Sequence, residues 1–213
     1  MKRVLVAVVL MVVLALQGVK PVDAADWSQV VARLQASTVA IACSLHNQNT
    51  CTAFSINEDQ GLYMTAAHCV PASYAEVVEG QPLDEPRIDG QPVTVVFLSQ
   101  SLDLAIVKAT VKRPALYPRA ESLVVGNEVG SYGYGYGGPT PIFRAGNVSG
   151  YFTDPNTAAE WLMFDNAVVG GMSGGPIVDW DGFVVGVNSK SDGMSGISLS
   201  IRQILAATQF WSK

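Results

Sequence analysis

The sharpest chemical feature of the chain is a serine set among glycines, Gly171-Met172-Ser173-Gly174-Gly175-Pro176. A serine hydroxyl is a weak nucleophile. It needs an imidazole to take its proton and N–H donors for the oxyanion it creates. Glycines around it let the backbone turn so that the N–H groups of Gly171 and Ser173 can aim at one point. Gly-x-Ser-x-Gly alone is weak evidence, because glycine turns with serine are common in β proteins. The chain holds two histidines, His46 and His68. His68 ends Thr65-Ala66-Ala67-His68-Cys69, where small alanines leave the ring free to turn toward a cleft. His46, beside Asn47 and Asn49, reads as a solvated turn residue. An imidazole base also needs an acceptor on its other nitrogen to fix the tautomer. Asp103, in Ser101-Leu102-Asp103-Leu104-Ala105-Ile106-Val107, is a lone carboxylate at the mouth of an apolar strand. A solvated strand end and a buried partner both fit it.

Positioning these groups falls to short strands. Thr38 to Leu45, Cys51 to Ile56, Gly61 to Ala67, Val93 to Leu98, Leu104 to Thr110 and Val129 to Tyr136 are β-branched or aromatic runs bounded by turn residues. Phe143 to Phe152, Trp161 to Val168, Ile177 to Asp179, Phe183 to Ser189 and Gly196 to Ile201 continue the series. Trp180-Asp181-Gly182 reads as a hairpin turn. Asp26-Trp27-Ser28 can cap a short helix whose Val30, Val31 and Leu34 share a face, and Arg202 to Trp211 looks like a closing amphipathic helix. So many strands with no helices between them predict an all-β sandwich or barrel, not a parallel α/β sheet. Both histidines precede Ser173, which excludes the α/β-hydrolase order in which histidine comes last.

Composition narrows the classes further. The 213 residues are 49% hydrophobic and 15% charged, which excludes a disordered or coiled-coil polymer. A net charge of −5 and a pI near 4.9 offer no basic surface for phosphates, so nucleic acid is not an expected partner. No Cys/His set has zinc spacing, so neither metal nor cofactor is expected. Lys2 and Arg3 precede a 13-residue apolar run, Val4 to Leu16. The run is short for a bilayer span, which takes about 20 residues. With Val22-Asp23-Ala24 before Ala25, it reads as an export signal over 1–24, leaving 25–213 as one domain with no stable membrane anchor after cleavage. An oxidising, secreted or periplasmic location follows.

The order His68, Asp103, Ser173 and the three local contexts resemble the chymotrypsin-like (trypsin-like) serine proteases, with the nearest likeness to bacterial HtrA-type peptidases. Spacings of 35 and 70 residues suit that family. Phe164-Asp165-Asn166-Ala167, Gly146-Asn147-Val148-Ser149-Gly150, Val184 to Ser189 and Gly196 to Ile201 look HtrA-like as well. The resemblance spans Thr38 to the final helix. It implies two packed six-stranded antiparallel β-barrels, with His68 and Asp103 from the first and Ser173 from the second. It also implies a catalytic triad of these residues, an oxyanion hole of Gly171 and Ser173 N–H groups, and protein or peptide substrates. A non-catalytic binding module on the same fold is the alternative.

Two departures matter. Digestive relatives carry Asp before the nucleophile, to bind an N-terminus freed by activation. Met172 stands here and cannot make that ion pair, so no such zymogen cut is expected. No PDZ-like region follows, so peptide-sensing regulation is not implied. Where trypsin-type enzymes recognise Arg or Lys with a carboxylate, this chain has Ala167. Glutamate-specific relatives use a histidine near Val187-Asn188-Ser189, and none is present there. A pocket without a matched charge penalises charged side chains. Cleavage after small or medium apolar residues is therefore expected, with Asn188 and Ser189 offering backbone groups to the substrate and with Asp165 and Lys190 as the nearby charges. The resemblance also pairs Cys51 with Cys69 and leaves Cys43 over, whereas Cys43–Cys51 across a hairpin is the rival pairing. Gly133 to Gly138 contains GxGxxG, but Pro139 and Pro141 follow in place of a helix, so it reads as a β-turn region. Glu76, Glu79, Asp84 and Glu85 read as a polar surface insertion.

Overall fold

Short β-branched runs separated by turn residues form thirteen strands and two short helices among residues 26–42, 50–70 and 85–211, which the computed structural model describes. The expected export signal (1–24), Cys43, His46 and the acidic insertion around Glu76, Glu79 and Asp84 lie outside the described residues. Helix α1 (Ser28–Ser37) leads into β1 (Thr38–Ala42), β2 (Thr50–Asn57) and β3 (Leu62–Thr65). A single 3₁₀ turn (Ala67–Cys69), β4 (Arg87–Ile88), β5 (Gln91–Pro92), β6 (Thr94–Ser99) and β7 (Leu104–Lys108) complete the first half. The second half holds β8 (Glu128–Gly133), β9 (Ile142–Thr153), β10 (Glu160–Phe164), β11 (Pro176–Val178), β12 (Val184–Ser191), β13 (Gly196–Ser200) and α2 (Ile201–Ala207).

The second half is a closed six-stranded barrel, ordered β10-β13-β12-β11-β8-β9. The first is a curled seven-stranded sheet, β5-β4-β1-β2-β3-β7-β6, so the expectation of two six-stranded barrels holds for one half and is corrected for the other. Its edge strand β5 is two exposed residues long and ends on Pro92, which has no N–H to donate to a further ladder. Each half fills its own interior. Val39, Ile41, Tyr63, Ile88 and Val107 pack inside the first, and Val129, Leu162, Phe164, Met172 and Ile177 inside the second. A third core joins them: Leu34 of α1, Phe54, Met64 and Ile106 meet Tyr132, Trp161, Val184 and Ile204. That shared core fixes one half against the other, and with it the distance between residues carried by each.

Both helices depart in detail from the sequence reading. Within the expected Asp26-Trp27-Ser28 cap of α1, Trp27 occupies the N-cap position without a side-chain capping bond, and Asp26 accepts the Ser28 N–H at 2.9 Å. Helix α2 stops at Ala207. Beyond it Phe210 packs on Phe97, and Trp211 packs on Phe54 while donating from Nε1 to the Leu116 carbonyl at 2.7 Å. Continuing the helix would have forfeited these contacts with the first half.

Candidate active site

Strand β3 delivers the chain into the 3₁₀ turn, where His68 stands exposed between the fully buried Ala67 and Cys69. Small residues on either side let the turn lie flat on the core while the imidazole projects. Asp103 precedes β7, which pairs with β3. It adopts φ +49°, a left-handed conformation that a short polar side chain tolerates. This places its carboxylate under the ring: His68 Nδ1 lies 3.0 and 2.9 Å from the two carboxylate oxygens, and the His68 N–H donates to Oδ1 at 3.0 Å. The histidine side chain is 47% exposed and the aspartate 14%. Ser189 also donates its hydroxyl to Asp103 Oδ2. Burial pushes the Asp103 carboxyl up. Hydrogen bonds from the His68 ring, the Ser189 hydroxyl and the His68 N–H outweigh it, so its pKa falls below the ordinary value.

Ser173 arrives from the second half, on the turn between β10 and β11. Its carbonyl accepts the Thr52 N–H at 2.9 Å and lies 3.6 Å from Cys69 Sγ, one residue from the histidine. Gly174 follows with φ +80°. A Cβ there would overlap the Thr65 hydroxyl and the Thr52 carbonyl, so only glycine lets the serine turn approach the histidine strand this closely. Gly171 has φ +94° at the third position of a turn closed by Met172 N–H to the Val169 carbonyl, 3.0 Å, which is type II geometry. Among the described residues, no acceptor takes the N–H of Gly171 or of Ser173, and the Ser173 hydroxyl makes no hydrogen bond to the ring.

The expected substrate residues are placed less uniformly. Ala167 is half-buried between Asn166 and Val168. Val187 sits in the core between the halves. Asn188 is fully buried, and its backbone is already engaged: its N–H donates to the Gly175 carbonyl at 2.9 Å and its carbonyl accepts the Gly174 N–H at 2.8 Å. Its backbone groups are therefore not open to a substrate, contrary to the sequence expectation. Ser189 is the residue skipped where the β12–β13 register shifts from Asn188↔Ser198 to Lys190↔Ile197. Such a bulge re-aims a side chain, and here the hydroxyl turns to Asp103. No signal in the sequence announced that contact. The nearby charges are occupied elsewhere: Lys190 lies over the Trp161 ring at 5.3 Å, and Asp165 accepts from Asn147. A surface depression of about 390 Å³ lined by Pro118, Arg119, Glu121, Asp181 and Phe183 contains none of these residues.

Cys51 and Cys69 form a disulfide, S–S 2.11 Å, in keeping with the pairing that the resemblance implied. Together with His68 their ligand atoms lie within 4.8 Å of one another, but the bonded sulfurs leave no thiolate for a metal. The bridge closes a loop of 18 residues and ties the histidine turn to β2. Replacing both cysteines with serine is expected to cost about 3 kcal/mol of unfolding free energy on the chain-entropy account. Urea denaturation reads this directly, and an unchanged midpoint would refute it.

The family described as trypsin-like peptidase domain matches residues 51–187, well over half of the chain. The chain belongs to the trypsin-like peptidase family. This trypsin-like peptidase is 35% identical over 162 residues to a protein of Bartonella henselae named as a probable periplasmic serine endoprotease, DegP-like. That match covers 70% of the chain and 30% of the relative, so the chain spans about a third of that relative's length. Among solved structures, the active form of the Rv3671c protease from M. tuberculosis superposes with TM-score 0.68 at 25% identity, covering 86% of this chain and 85% of that one. A serine endoprotease from Yersinia pestis, at 21% identity and TM-score 0.66, shares the fold over 85% of this chain and 64% of its own. This trypsin-like peptidase is thus a homologue of serine endoproteases and is similar to a DegP-like one.

Proposed function

We propose that this peptidase hydrolyses peptide bonds in proteins through an acyl-enzyme, in a secreted or periplasmic setting reached by removal of residues 1–24, with 25–213 as the mature domain. His68 acts as general base and then acid, Asp103 holds it in the tautomer with the proton on Nδ1, and Ser173 is the nucleophile. The N–H groups of Gly171 and Ser173 receive the oxyanion. The observation that carries this reading is the His68–Asp103 pair, with its carboxylate held by three donors beside the turn that presents Ser173.

Substrate choice follows from the uncharged surroundings. Ala167 offers no carboxylate, and Asp165 and Lys190 are engaged elsewhere, so a small or medium apolar residue before the scissile bond is favoured. The Bartonella relative is named periplasmic, which supports the location.

A fluorophosphonate probe should label Ser173 alone, and a peptide library should be cut after residues such as Ala and Val. Folded protein that resists labelling and still captures peptides would replace this reading with that of a binding module. Preferred cleavage after Arg, Lys or Glu would overturn the specificity.

A further inference from the structure

In this peptidase Met172 is fully buried in the apolar interior of the second barrel, so no ion pair at that position can hold the turn that bears Gly171 and Ser173. Another set of contacts holds it. A peptide group is planar, with its C=O and N–H pointing in opposite directions. The carbonyl of Gly170 accepts the Tyr136 N–H at 2.6 Å, so the N–H of Gly171 in the same peptide points away from Tyr136. The next carbonyl, that of Gly171, accepts the Thr52 hydroxyl at 2.7 Å. The Thr52 oxygen in turn accepts the Tyr134 N–H at 2.9 Å. The backbone N–H of Thr52 donates to the Ser173 carbonyl at 2.9 Å. One residue of the first half therefore grips both ends of the Gly171–Ser173 turn of the second. Its hydroxyl also joins that turn to the glycine–tyrosine segment Gly133 to Gly138, which the proposed reaction had left unused.

We infer that Thr52 is a positioning residue for the oxyanion site: its side chain holds the peptide after Gly171 and anchors the Tyr134–Tyr136 backbone, which in turn holds the peptide before Gly171 in the orientation that leaves the Gly171 N–H free for the substrate. The inference rests on the peptidase reading. Thr52 is fully buried, so removing its hydroxyl leaves the Gly171 carbonyl and the Tyr134 N–H without a partner in a site closed to water. Relief comes from movement of the Gly171–Met172 peptide and of the Tyr134–Tyr136 backbone, and because Tyr136 holds the Gly170 carbonyl, that movement displaces the Gly170–Gly171 peptide that carries the oxyanion donor. The fit is close: a Cβ on Gly133 would lie 2.7 Å from the Thr52 oxygen. Tyr136 completes the brace in a left-handed conformation, φ +59° and ψ +20°, that a bulky residue adopts only when its surroundings hold it there.

The test compares kcat and KM on a peptide and an ester substrate for the wild type, Thr52→Val, Thr52→Ala and Thr52→Ser. Loss of one oxyanion donor costs on the order of 100-fold in kcat, so the valine variant should fall by at least about tenfold with KM within about twofold. Thr52→Ser keeps the hydroxyl and should recover most of the rate. The affinity of a peptidyl boronate should fall in step with kcat. The acidic midpoint of the pH profile should stay in place, because the His68–Asp103 pair is untouched. A merely structural role would lower the melting temperature and leave kcat of the folded fraction alone. Folded Thr52→Val with wild-type kcat overturns the inference. Should the valine variant not fold, Thr52→Ala, which adds no atom, takes its place, and wild-type kcat in that protein overturns the inference equally. Wild-type protein that neither cuts nor labels overturns the peptidase reading and this inference together.

Discussion

Ser173→Ala is expected to fold as the parent does and to lose kcat by a factor on the order of a million. The hydroxyl is the only group on that turn able to form the acyl bond. The contacts that hold the turn run through backbone atoms and survive the change: Thr52 N–H to the Ser173 carbonyl and Gly174 N–H to the Asn188 carbonyl. Stability should consequently change little while turnover collapses. What remains is the smaller acceleration that binding and the oxyanion donors supply without a nucleophile. Single-turnover hydrolysis of a peptide, alongside thermal melting of both proteins, measures the two quantities separately. Retention of more than about a hundredth of the parent rate would place the nucleophile elsewhere.

Asp103→Asn is the second large effect, a fall of about 10⁴ in kcat near neutral pH. An asparagine amide can donate to His68 Nδ1, which moves the ring proton to Nε2 and removes the base proposed to take the serine proton. Geometry stays nearly constant, so the loss is one of protonation and not of placement. The same substitution alters acid stability, and its sign follows from the lowered pKa of Asp103. A carboxyl whose folded pKa lies below its unfolded value of about 3.9 stabilises fully above that value, and the contribution is lost as pH falls through the folded pKa. Wild-type protein should therefore lose this part of its stability below about pH 4, and Asp103→Asn should lack that limb. Coincident acid-unfolding curves for the two proteins would mean that the carboxylate is not held as described.

Much of the site was legible because its chemistry demands particular residue types in particular company. Ser173 needed glycines on both sides, His68 followed small residues at a strand end, and Asp103 sat at the start of an apolar strand; those contexts survive in one dimension. Thr52 gave no such signal. It is one threonine among several in β-rich sequence, and its importance comes from three hydrogen bonds to residues more than eighty positions away. Ser189 was singled out for its backbone, yet its hydroxyl proved the informative group, because a register shift in β12 turns it toward Asp103. Phe210 and Trp211 continued an apolar period that fits a helix, and the chain left the helix to pack them on Phe97 and Phe54.

By itself, then, the amino-acid sequence determined the all-β class and singled out the three side chains proposed for catalysis, with the small residues around them. Those depend on local sterics and on periodic burial, which neighbouring residues dictate. Tertiary structure alone decided that, among the described residues, the first half is a curled seven-stranded sheet while the second closes, that Asn188 spends its backbone on Gly174 and Gly175, and that one threonine spans the join. The reason is physical: each of these outcomes depends on which distant strand lies alongside, and hydrogen bonds between the two halves require both to be packed on their common core.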